Sequence, residues 1–129
     1  MAATLSPYET RRTIALNYAA CTPEFATDQE LYRLAELLDW HDEHAPGIAA
    51  RVDYHWWITQ AARLDLMALQ EPADELVTEA DRIAAFLFQI AADYACALSE
   101  LPLDPYPKQK RAFVRAEWRA AHATAEHEH

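Results

Sequence analysis

Apolar residues recur along much of the chain at intervals of three and four positions, the spacing that lines one side of an α-helix. The most regular series is Ile48, Val52, His55, Thr59, Ala62, Leu66 and Leu69. A second series, on roughly the opposite side of the same segment, is Ala50, Tyr54, Trp57, Ala61, Leu64 and Ala68. This pattern predicts a helix over about 48–70 that packs on two faces.

A comparable apolar series follows in the next segment. Its members are Leu76, Ala80, Ile83, Leu87, Ile90, Tyr94, Leu98 and Leu101. Pro72 precedes the series and Pro102 follows it, and proline is poorly tolerated inside a helix. A second long helix is therefore predicted over about 73–101, so the chain has two long central apolar helices.

Shorter outer helices are indicated by their capping residues. Ser6, followed by Pro7 and by Glu9 three positions after the serine, is typical of a helix N-terminus, and a helix is predicted from Pro7 to Cys21. Thr27 and Glu30 repeat the capping pattern.

The helix that follows Thr27 is predicted to end near His44, because Pro46 and Gly47 come next. A last helix is predicted over about 108–122. The interpretation is an all-α helical bundle of about five helices, with a single domain over 1–122 and a flexible C-terminal tail over 123–129.

The amount of apolar helix suggests self-association. Two helices that are apolar around most of their circumference expose more surface than a five-helix monomer is expected to hide, which predicts a homodimer. The predicted interface residues are Tyr54, Trp57, Ala61, Leu64 and Trp40. The alternative is that the outer helices cover both faces and leave a monomer.

The chain has a net charge of −10, and its charged residues are distributed unevenly along the sequence. Residues 1–104 hold 6 Lys and Arg against 18 Asp and Glu, whereas residues 105–129 hold 5 against 3. The acidic part repels phosphate backbones and anionic membranes and favours a protein partner with a basic surface. Nucleic-acid binding through the basic C-terminal helix is kept as an alternative, although its cations are expected to face carboxylates of the same protein.

Histidines provide the densest cluster of candidate metal ligands. His41 and His44 are three positions apart, and His55 lies on the next predicted helix. Imidazole is a common ligand of zinc, so a metal-dependent enzyme or metal-binding protein using these three residues is the second hypothesis. The preferred interpretation is helix capping by His41 and His44 with a hydrogen-bonded core histidine at 55. No cofactor is predicted, because the chain has a single glycine and no phosphate-binding loop.

Location and function follow from these observations. The N-terminus lacks the pattern of a secretory signal, and the longest apolar stretch is too short to span a membrane, so a cytoplasmic location is expected. No motif identifies a family. The leading hypothesis is a small acidic helical protein–protein interaction module, such as an adaptor, inhibitor or immunity-like protein of bacteria or phages.

Overall fold

The computed structural model describes residues 5–44, 53–99 and 110–127, with the side chains of 41–44 and 124–127 outside the description. Within these ranges the chain forms five α-helices and no strand. The helices are α1 (Pro7–Tyr18), α2 (Asp28–His44), α3 (Tyr54–Gln70), α4 (Asp74–Tyr94) and α5 (Lys110–His127). The predicted all-α bundle of about five helices is confirmed.

The two capped helix starts are confirmed in detail. At α1 the Ser6 hydroxyl accepts from the backbone N–H of Glu9 at 3.1 Å, and the Ser6 backbone N–H donates to the Glu9 carboxylate at 3.4 Å. At α2 the Thr27 backbone N–H donates to Glu30 at 2.8 Å, and the Glu30 N–H donates to the Thr27 hydroxyl at 3.2 Å. Both helices thus satisfy exposed backbone donors with local side chains.

The end of α4 differs from the prediction. The helix ends at Tyr94 rather than near residue 101, and Ala95 takes a left-handed conformation with φ 50° and ψ 43°. The backbone N–H groups of Leu98 and Ser99 donate to the carboxylate of Glu117 on α5. Because these amides have a tertiary acceptor, the chain leaves the helix without losing their hydrogen bonds.

Two other boundaries are corrected. α1 ends at Tyr18 instead of Cys21. Beyond the helix end, the Cys21 carbonyl accepts a hydrogen bond from the indole N–H of Trp118 at 2.8 Å. α5 extends to His127, five residues beyond its predicted end near residue 122. Alanine has the highest helix propensity, and this segment is rich in it. The predicted start of the 48–70 helix lies outside the described residues.

Helix α3 occupies the centre of the bundle. It packs against α1, α4 and α5, while α5 also packs against α1 and α4. Its buried residues are Tyr54, Trp57, Ile58, Gln60, Ala61, Ala62, Leu64, Asp65, Leu66, Ala68 and Leu69. Other helices of the same chain therefore cover both apolar faces of α3. This is the arrangement that the sequence offered as the alternative to a dimer interface on α3.

Helix α4 is apolar on one side only. Its buried residues are Ala80, Ile83, Ala84, Phe86, Leu87, Ile90 and Ala91. Thr78, Asp81, Gln89 and Asp93 are exposed. The helix is therefore amphipathic, whereas the expectation of a helix that packs on two faces is met by α3. No helix in the described ranges is long and apolar enough to cross a membrane.

Candidate protein-binding surface

Four of the five predicted interface residues lie in the core. Tyr54, Trp57, Ala61 and Leu64 are exposed by 5, 3, 1 and 1% respectively. The Trp57 indole packs edge-on against Phe86, with ring centroids 4.7 Å apart. These four assignments are therefore corrected: the side chains pack within one chain, because α1, α4 and α5 cover the face that carries them.

Trp40 is placed differently, on the outside of α2, where 52% of the residue is exposed. The inner side of the same helix buries Leu34 and Leu38 in the core. Because a helix turns about 100° per residue, Trp40 projects well away from those two leucines. Of the predicted interface residues, it is the one that is exposed.

The neighbours of Trp40 form a small surface that we call the α2 outer face, defined as Arg33, Glu36, Leu37 and Trp40. These residues follow the i, i+3, i+4, i+7 spacing and together line a shallow depression. Leu37 is 39% exposed beside the half-exposed indole. The α2 outer face thus has two exposed apolar side chains with one cation and one anion beside them.

Two ion pairs hold α2 against the rest of the bundle. Near its start, Glu30 pairs with Arg63 of α3 at 2.8 Å, and farther along, Asp39 pairs with Arg82 of α4. Hydrogen bonds from the backbone N–H of Thr27 and from Arg63 hold the pKa of Glu30 below its usual range. With the two buried leucines, these contacts fix the direction in which the α2 outer face points.

The most buried charged cluster centres on Asp65, which is fully buried in α3. Arg111 donates through Nε to Oδ1 at 2.6 Å, and Arg115 donates to both carboxylate oxygens at 2.9 and 3.0 Å. The Tyr18 hydroxyl donates to Oδ2. Burial, together with the charge of Asp65, raises the pKa of the Tyr18 phenol. The carboxylate is bonded on both oxygens by its own chain, so the cluster joins α1, α3 and α5 and is not an open site.

A second buried carboxylate, Glu117 of α5, performs a similar structural task. It accepts from the Tyr54 hydroxyl at 2.9 Å and from the backbone N–H groups of Leu98 and Ser99 at 2.8 and 3.1 Å. Burial and the charge of Glu117 raise the pKa of Tyr54. Neither carboxylate was predicted to be buried, although an acid between two core leucines, as at Asp65, indicates that a buried partner exists.

The basic helix α5 uses two of its cations inside the molecule. Arg111 and Arg115 face Asp65, which confirms for these two the expectation that the cations meet carboxylates of the same protein. Guanidinium groups held this way are not presented to a phosphate backbone. Lys110 and Arg119 remain exposed on the same helix.

The histidine hypothesis is only partly within the described residues. His55 is exposed in the first turn of α3, so it is not the core histidine that the sequence suggested. The side chains of His41 and His44 lie outside the description. Within the described part of the chain, no group of three or more His, Cys, Asp and Glu residues is arranged to hold a metal ion.

Comparisons of the chain with protein-family models, with curated proteins and with solved structures find no match. Any functional assignment therefore depends on the surface of the molecule itself. In the described residues, Trp40 is the predicted interface residue that the fold leaves exposed, and it lies on the α2 outer face.

Proposed function

We propose that this chain is a small acidic helical protein–protein interaction module, which binds a partner protein with a basic surface through the α2 outer face. The observation that carries the proposal is the half-exposed indole of Trp40 beside Leu37, on a helix dense in acidic residues. Adaptors, inhibitors and immunity-like proteins act in this way, and a cytoplasmic location is part of the proposal.

The apolar centre supplies the affinity in this proposal. Tryptophan is among the residues that most often dominate binding energy, because burying its large ring removes much apolar surface from water. Arg33 and Glu36 flank the ring and can exclude water around it. Since Leu34 and Leu38 anchor α2 from its inner side, little ordering of the helix is required on binding.

The charge of α2 supplies the selectivity. The helix has six acidic residues against one arginine, in a chain of net charge −10. A basic partner is attracted to such a surface from a distance and an acidic one is repelled. Binding is therefore expected to weaken as salt is added, with most of the effect on the association rate.

The two other hypotheses have less support. Asp65 holds Arg111 and Arg115 in the interior, which removes the central cations from a nucleic-acid-binding surface on α5. For a metal-dependent function of His41, His44 and His55, the exposure of His55 makes its side chain accessible but does not by itself bring the three residues together.

The proposal is tested by placing a photo-crosslinking amino acid at Gln29, an exposed residue one turn before Arg33. After crosslinking in the native host, the partner is identified by mass spectrometry and its affinity for the purified protein is measured. We expect the crosslinked partner to be a protein with a basic contact surface. The Trp40→Ala variant should bind this partner at least about 30-fold more weakly than the unmodified protein does.

Phe25→Ala is the matched control, because Phe25 is a half-exposed aromatic residue that lies before α2. Its affinity for the partner should equal that of the unmodified protein. The proposal fails if Trp40→Ala binds as tightly as the control, or if no crosslinked protein binds when purified.

A further inference from the structure

The outward side of α1 is a second apolar surface. We call it the α1 outer stripe, defined as Leu5, Tyr8, Arg12, Ala15 and Leu16, all of which are exposed. Leu5 is exposed by 37%, Tyr8 by 65% and Leu16 by 63%. Arg12 lies four positions after Tyr8, and Ala15 and Leu16 lie three and four positions after Arg12, so these four residues share one side of the helix. Leu5 lies just before the N-cap residue Ser6.

The α1 outer stripe is basic at its centre. Arg12 lies between Tyr8 and Leu16, and Arg11 is an exposed neighbour. The one acid of α1, Glu9, is bonded to the backbone N–H of Ser6 in the capping box. α1 thus presents an apolar surface with cations, whereas α2 presents an apolar surface on an acidic helix.

From this complementarity we infer that a second copy of the chain supplies the basic partner surface: the α1 outer stripe of one copy docks on the α2 outer face of the other. The inference rests on the proposed function, whose binding face it uses. In a dimer with a two-fold axis this contact forms twice. The α1 helix of the first copy packs on α2 of the second, and α1 of the second copy packs on α2 of the first.

Contacts between like surfaces are less favourable. Pairing α1 with α1 brings Arg12 of both copies together, and pairing α2 with α2 brings together two helices that each have six acidic residues and one arginine. Like charges at a contact are destabilising. Docking α1 on α2 would instead allow Arg12 to pair with Glu36, which carries the opposite charge.

The same docking covers the largest exposed apolar side chains of both helix faces. Tyr8 and Leu16 of one copy would meet Leu37 and Trp40 of the other, twice in each dimer. Burying such residues is the main favourable term in protein association. Two copies of net charge −10 repel each other at long range, so the electrostatic attraction in this dimer is local and comes from the pairing of Arg12 with Glu36.

Sedimentation velocity on charge-reversed variants tests the inference. The wild type is expected to be a dimer, and Arg12→Glu and Glu36→Arg are each expected to raise the dimer dissociation constant at least about tenfold. Circular dichroism verifies that each variant keeps its helix content, as expected for exposed positions. Arg119→Glu is the control, because it makes the same substitution at an exposed arginine of α5 and should not change the dimer.

Mixing the two variants gives the decisive measurement. An equal mixture of the Arg12→Glu and Glu36→Arg chains should form a heterodimer of wild-type affinity, because both contacts again pair opposite charges. The double variant, which carries both Arg12→Glu and Glu36→Arg in one chain, should form a homodimer of wild-type affinity for the same reason. A monomeric wild type, or a failure of both rescues, overturns the inference.

The outcome also separates this inference from the proposed function. If the chain is monomeric but a different basic protein binds in a Trp40-dependent manner, the proposed function stands and the second copy is not the partner. If neither a second copy nor another protein depends on Trp40, both statements are wrong.

Discussion

Two acidic side chains organise the interior of this bundle. Asp65 receives two arginines and a tyrosine, while Glu117 receives a tyrosine and two backbone amides. A buried carboxylate is costly to desolvate and is retained only where hydrogen bonds and charges compensate it. Each cluster therefore depends on all of its members being present.

Asp65→Asn tests this dependence at a single residue. The substitution preserves the size of the side chain but removes the charge that faces Arg111 and Arg115. Removing one partner of a buried ion pair leaves the other uncompensated, so the free energy of unfolding should fall by about 3 kcal/mol. Urea denaturation followed by circular dichroism measures the change.

Asp39→Asn is the corresponding control on the surface. Asp39 pairs with Arg82, and 67% of its side chain is exposed. An exposed ion pair contributes at most about 1 kcal/mol. Equal losses of stability in the two variants would show that the Asp65 cluster does not hold the helices together as inferred.

At the scale of an element, the most distinctive feature is how α4 terminates. Ala95 has φ 50°, a left-handed conformation in which the Cβ of a non-glycine residue approaches the backbone. Glycine commonly occupies this position after a helix. Alanine is tolerated here because the Glu117 contacts with Leu98 and Ser99 hold the following turn in place.

Ala95→Gly should therefore stabilise the protein by about 1 kcal/mol, since glycine adopts the left-handed conformation without the steric cost. Thermal or urea denaturation measures the gain. The matched variant Ala92→Gly changes an exposed residue inside α4 and should instead destabilise by about 0.5–1 kcal/mol. A loss of stability in both variants would contradict the role assigned to Ala95.

On the scale of the whole molecule, stability should depend on alkaline pH through two tyrosines. Burial raises the pKa of Tyr18 and of Tyr54 in the folded state, in each case with a further contribution from an adjacent carboxylate. The folded state therefore keeps both phenol protons more tightly than the unfolded state does. Their contribution is fully present below the unfolded tyrosine pKa of about 10 and is lost as the pH rises above it.

The expected result is a decrease in the free energy of unfolding above about pH 10, by up to about 2.7 kcal/mol per pH unit for two protons. Urea denaturation over a series of alkaline pH values gives this slope. Tyr18→Phe should reduce the slope to about half, because one of the two titrating groups is removed and only one proton is then released. A slope that is the same in the variant would rule out Tyr18 as one of the responsible groups.

Local chemistry was readable from the sequence. The capping boxes at Ser6 and Thr27 involve residues three positions apart, so their hydrogen bonds need no other part of the chain. The two apolar series of α3 likewise showed that the helix is packed on two sides. The helical class and these helix starts were therefore predicted correctly.

Only the tertiary structure decided what covers each apolar surface. Trp40 and Trp57 are both tryptophans on predicted helices, yet one is half exposed and the other lies in the core beside Phe86. Periodicity shows which side of a helix is apolar but not which surface meets it. The partners of Asp65 and the end of α4 could not be predicted from the sequence either. Both depend on residues of α5 that are distant along the chain and adjacent in the fold.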